Sequence, residues 1–128
     1  MNIDDITYQI RGAIFEVNNV LGYGFLEKVY EKALMIELRS RGLRVENQHP
    51  LKVRYKEQIV GEYFADLLVE AQVIVEIKAA TNLLKVHQAQ LLNYLKATGV
   101  PVGLLVNSTR NKAEIKRMVL NLPAGQWE

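Results

Sequence analysis

Near the middle of the chain, Val73-Ile-Val-Glu-Ile-Lys-Ala79 is apolar except for Glu76 and Lys78. So short and β-branched a run reads as a strand. Its apolar neighbours on both sides place it in a sheet covered by helices on both faces. Residues two apart point the same way, so Glu76 and Lys78 share a face with Ile74, while Val75 and Ile77 point opposite. An ionised side chain costs several kcal/mol to bury unless it is paired, hydrogen-bonded or bound to a metal. The strand therefore demands two covering layers and a reason for its charges.

The flanking sequence supplies the layers. Ile3, Ile6, Ile10, Ile14, Val17 and Leu21 recur at helical steps and predict a first helix over Ile3 to Leu21. Gly22-Tyr23-Gly24 breaks it. A second helix runs from Phe25 to about Arg41, with Leu26, Val29, Ala33 and Ile36 as its apolar positions, and stops at Gly42. Leu43 to Glu46 reads as a short extended piece and Leu51 to Tyr55 as a strand. Ile59 to Val69 is the next strand, reached through Lys56-Glu57-Gln58, and Val73 to Ala79 follows after a link around Glu70-Ala71-Gln72.

Leu83 to Thr98 returns to helical periodicity, with Leu84, Leu91, Leu95 and Thr98 on one stripe and Gly99 closing it. Val102 to Val106 is a strand, expected to lie parallel to Val73–Ala79 because a long helix separates them. Lys112 to Leu122, with Ile115, Met118, Val119 and Leu122, predicts a last helix, and Pro123 to Glu128 a frayed tail. The expected fold is a mixed α/β sheet, with a helix, three-strand meander, helix and strand at its core and further helices flanking it.

At 128 residues the chain suits one domain spanning 1–128. It contains no cysteine, which excludes disulfides and thiolate zinc sites, and two histidines alone cannot build a structural zinc site. No run approaches the ~20 apolar residues of a membrane span, and the acidic start MNIDDI lacks the form of a signal peptide. A soluble, cytoplasmic protein is expected. A net charge of +2 is too mild to argue nucleic-acid binding. Lys52, Arg54 and Lys56 alternate along one strand face, which reads either as a solvated face or as a basic patch.

Asp66 lies ten residues before Glu76 on the preceding strand of the meander, so the hairpin can bring the two side by side. Clustered carboxylates repel unless a cation sits between them, and Mg²⁺ or Mn²⁺ takes oxygen ligands. A lysine beside them can orient a water and face the charge that builds on a phosphate under attack. Together these groups suit phosphodiester hydrolysis. The competing reading is an internal salt-bridge network.

The arrangement resembles the PD-(D/E)xK nuclease superfamily, with an acid on the second core strand (Asp66) and D/E-x-K on the third (Glu76-Ile77-Lys78). Ala65 stands where the signature has proline. Upstream, Gly24-Phe-Leu-Glu27-Lys-Val-Tyr30 resembles the motif of the GxxExxY family, a branch of that superfamily. Downstream, Gln90-Leu-Leu-Asn-Tyr94 is similar to the Q-x-x-x-Y motif of the RecB-like exonuclease branch, with His87 on the same helix face.

The resemblance implies a Mg²⁺- or Mn²⁺-dependent nuclease acting on nucleic acid, DNA ahead of RNA. It implies metal ligation by Asp66, Glu76, the Ile77 carbonyl and Glu27. Lys78 would join the three acids as a catalytic group, with Gln90, Tyr94 and Tyr30 on the nucleic acid. Lys52, Arg54, Lys85 or Lys96 could meet phosphates. A chain this small could instead be a non-catalytic accessory scaffold, working as a homodimer or with a protein partner.

Overall fold

The two covering layers are present. The computed structural model of the protein describes residues 1–108 and 112–120. Within them the order is α1 (Ile3–Leu21), α2 (Glu27–Ser40), β1 (Val45–Tyr55), β2 (Gln58–Val69), β3 (Val73–Lys78), α3 (Lys85–Thr98), β4 (Val102–Asn107) and β5 (Glu114–Val119). The strands form one sheet in the order β1-β2-β3-β4-β5. Only β3 and β4 run parallel, joined by the α3 crossover; every other pair is antiparallel. None of the described helices is long and apolar enough to cross a membrane.

Strand alternation builds two cores. Leu67, Val69, Val73, Val75, Ile77, Leu104 and Val106 pack with Ile6, Ile10 and Ile14 of α1 and with Leu34 and Leu38 of α2. Leu68, Ile74 and Leu105 pack on the opposite face with Leu91, Tyr94 and Leu95 of α3. Each fully buried aliphatic side chain contributes roughly 1.5–3 kcal/mol. Gly103 lets β4 approach α3: a Cβ there would lie 2.9 Å from Leu91 Cγ and Cδ1.

Three expectations change. The periodicity at 112–122 suggested a helix, yet Glu114–Val119 is strand β5, with Ile115 packed against one core and Met118 against the other. Pairing along all six residues of β4 outweighs a weak local pattern, and Glu114, Lys116 and Arg117 keep the new edge polar. Leu122 and the tail from Pro123 lie outside the described residues.

Val45 and Glu46 of the expected piece and the strand at 51–55 are parts of one edge strand that starts at Val45, where Pro50 is tolerated. In α2 the buried face is Tyr30, Glu31, Leu34 and Leu38, whereas Leu26, Val29 and Ile36 are exposed.

The meander is asymmetric. β3 pairs with β2 only through Leu67, Leu68 and Val69. The rest of the β1–β2 ribbon, paired from His49↔Ala65 to Tyr55↔Gln58, extends as a two-stranded arm. Its tip is a two-residue turn with Lys56 and Glu57 both at positive φ (48° and 68°), so Lys56 sits in the turn and not on the strand face expected for it.

Gly103→Ala is expected to destabilise the protein by about 1–3 kcal/mol through overpacking against Leu91. Denaturant unfolding should show Gly103→Ala and Leu91→Ala together costing less than the sum of their separate effects.

Candidate active site

Where the β2–β3 ladder stops, side chains take over its hydrogen bonds. The Asp66 amide donates to Glu76 Oε1 (2.9 Å), and the Ile77 amide donates to Asp66 Oδ2 (2.8 Å). Each acid thus caps a main-chain donor of the opposite strand, which locks the two carboxylates side by side. Glu76 is buried and Asp66 half-buried. Burial, and next the Asp66 charge, push the Glu76 carboxyl up to about 8, against the opposing pull of the Asp66 amide and the Lys78 ammonium.

The alternation of β2 breaks here. Leu67 and Val69 belong to the α1/α2 core, but Ala65 belongs to the α3 core. On β1, between the pairs Asn47↔Leu67 and His49↔Ala65, Gln48 carries φ of 52°, a left-handed conformation unusual for a non-glycine residue within a strand. Its side-chain Nε2 donates to Asp66 Oδ1 (3.4 Å) and to Glu31 Oε1 (2.8 Å). Backbone strain of this sort, of order 1–3 kcal/mol, clusters at functional sites.

Glu31, from the buried face of α2, is therefore the third acid of the group. Burial, then the Asp66 charge, raise its carboxyl, with Lys28 and Gln48 opposing. Lys78 Nζ donates to Gln90 Oε1 (3.0 Å) of α3. Tyr94, one turn along, is buried, and its hydroxyl is pushed up by burial and by the charges of Glu76 and Asp66. The ion pairs among the described residues include none of Asp66, Glu76 and Lys78, so the salt-bridge network does not form.

The model of the PD-(D/E)XK nuclease superfamily matches residues 4–118. The chain belongs to this superfamily. Among solved structures, the crystal structure of SSO0001 is similar, with a TM-score of 0.61 at 18% identity over 75% of this chain and 50% of that one. This chain thus aligns with half of that protein's length, and the likeness is one of fold. No curated protein matches the chain.

Asp66, Glu76 and Lys78, the residues expected to carry the signature, lie at the splayed end of β2 and β3, with Gln90 bonded to Lys78. Two residues of the upstream motif are placed otherwise. Glu27 is exposed in the first turn of α2, and Glu31, one turn further in, is the acid linked to Asp66. Tyr30 is buried and unavailable to nucleic acid; its hydroxyl donates to the Gly22 carbonyl (2.8 Å) and accepts from the Phe25 amide (3.3 Å). It staples the Gly22–Phe25 loop, whose Gly22 and Gly24 have φ of 72° and 109°, and so sets where α2 begins.

His87 Nδ1 accepts from the Leu84 amide and caps α3. The sequence reading missed Glu31 and Gln48. The clue to Glu31 was the Tyr30, Leu34, Leu38 stripe; nothing local marked Gln48.

The donor set fits a hard cation. Among the described residues no group of three or more acidic or histidine side chains is placed to hold a metal ion. Mg²⁺ does not require one, because it keeps several waters and binds through one or two carboxylates. Asp66 and Glu76 offer two adjacent carboxylates, and burial, then the Asp66 charge, favour the protonated form of Glu76, a proton that a bound cation would displace.

A carboxyl whose folded pKa exceeds its unfolded value keeps its proton longer in the folded state. In metal-free buffer the stability from Glu76 is full below about pH 4.5 and is lost as pH rises towards about 8. Urea unfolding across this window should show Glu76→Gln removing that part of the pH dependence, and exceeding the parent's stability at pH 8 by at least about 1 kcal/mol.

Proposed function

We propose that the protein is a divalent-metal-dependent nuclease of the GxxExxY branch, hydrolysing phosphodiester bonds of nucleic acid in the cytoplasm. The observation that carries this reading is the locked Asp66–Glu76 pair with Lys78 beside it. Its amide-to-carboxylate exchange positions two acids whose mutual repulsion a cation would relieve.

Asp66, Glu76 and the Ile77 carbonyl would hold Mg²⁺ or Mn²⁺. When bound, the ion polarises the phosphoryl group and makes a water more acidic. Lys78 orients the attacking water and faces charge developing on the phosphate. Gln90 holds the Lys78 ammonium in place, and Tyr94 walls the site from the α3 side. Glu31, through Gln48, fixes the outer oxygen of Asp66, in the part expected of Glu27. Glu27 is left as an outer acid that reaches the site through water. DNA ranks ahead of RNA on the family resemblance.

Labelled single- and double-stranded DNA and RNA should be incubated with Mg²⁺ or Mn²⁺ and each variant. Asp66→Asn and Lys78→Ala are expected to lose about 10²–10³-fold in rate, with circular dichroism unchanged. Glu31→Gln should lose more than Glu27→Gln. No cleavage of any substrate by the folded parent would sink the enzyme reading in favour of an accessory scaffold.

A further inference from the structure

Between the β1–β2 arm and α3 lies a groove of about 810 Å³. Lys52 and Arg54 line it from the arm and Lys96 from α3, with no acidic residue among the described lining. Tyr63, half-exposed, presents its ring to the same space. That ring is held in place on two sides. It packs against Tyr94, with centroids 5.9 Å apart, and a Cβ at Gly61 would lie 3.0 Å from Tyr63 Cε2.

The groove leads to the acids. Gln90 and Tyr94 also line it, and Gln90 bonds Lys78. The register shifts from Val53↔Gly61 to Arg54↔Ile59, which leaves Val60 as the bulged residue of β2, and Val60 and Gly61 both line the groove wall beside Lys52, Val53 and Arg54.

We infer that nucleic acid reaches the acids as a single strand, laid between the arm and α3 with one base stacked on Tyr63. This rests on the nuclease reading above. Two features select a single strand. The groove has the volume of a small-ligand pocket, roughly 300–1,000 Å³, and lies between two walls, the arm and α3, that an unpaired strand can enter. Its lining also pairs backbone-tracking cations with an exposed aromatic platform, the combination that binds unpaired strands without sequence preference. In a duplex, the base faces that Tyr63 would stack on are already covered by neighbouring bases.

Binding is measured by fluorescence anisotropy in EDTA, so that it is read whether or not the chain cleaves. The probes are labelled 12-nucleotide single strands of DNA and of RNA and a blunt DNA duplex of equal length, at fixed salt. At least one single strand should bind tenfold or more tightly than the duplex. Tyr63→Ala should weaken that binding about 5- to 150-fold, the range one stacked base spans, and Tyr63→Phe should retain it. Lys52→Ala with Arg54→Ala should lower the slope of log K against log salt by about 0.7 for each phosphate that these two cations neutralise.

Equal or tighter duplex binding, or a folded Tyr63→Ala that binds like the parent, overturns the inference. Metal-dependent cleavage with equal binding of all probes keeps the nuclease and removes the groove. Single-strand selectivity without cleavage of any substrate keeps the groove and removes the nuclease.

Discussion

The site depends on one exchange of hydrogen bonds, in which Asp66 takes the Ile77 amide while giving its own amide to Glu76. The main-chain ladder ends at Leu67 and Val75, and beyond it carboxylates accept from these two amides in place of main-chain carbonyls. By ending there, the two strands present their carboxylates to each other at fixed separation. Burial of the Glu76 side then makes the arrangement electrostatically unfavourable in the absence of a cation, which is visible as the upward push on Glu76, Glu31 and the Tyr94 hydroxyl. A proton on Glu76 relieves this until a cation takes its place, and the two hydrophobic cores stabilise the strands that hold the pair together.

Three other elements converge on this pair. The left-handed Gln48 joins Asp66 to Glu31 and coincides with the switch of β2 from one core to the other. α3 supplies Gln90 to hold Lys78 and Tyr94 to close the side. Tyr30 acts at a distance by fixing the loop before α2, so the tyrosine of the motif positions a helix and the acid it carries.

The sheet, its meander and the parallel β4 were legible because β3 and β4 are buried on both faces and their apolar runs are unambiguous. Glu76 and Lys78 stood out for the same reason, since charge in such a strand has few explanations, and Asp66 followed from its place ten residues earlier on the preceding strand of the meander. The phase of α2 was not. Leu26, Val29 and Ile36 form a plausible stripe, but the sheet selects Tyr30, Leu34 and Leu38, and Glu31 rides in with them. β5 was misread because six residues with apolar positions three apart fit either period, and only pairing with β4 decides. Gln48 depends on a backbone angle that no residue type announces.

The central claim is that Asp66 and Glu76 are one cation site. Its most direct test is calorimetric titration of Mn²⁺ into the metal-free protein at pH 7, in buffers of different ionisation enthalpy. Because Glu76 holds its proton up to about pH 8, binding at this pair should release close to one proton, and Asp66→Asn should abolish both the binding and the release. Binding without proton release, or binding that survives Asp66→Asn, would contradict the account.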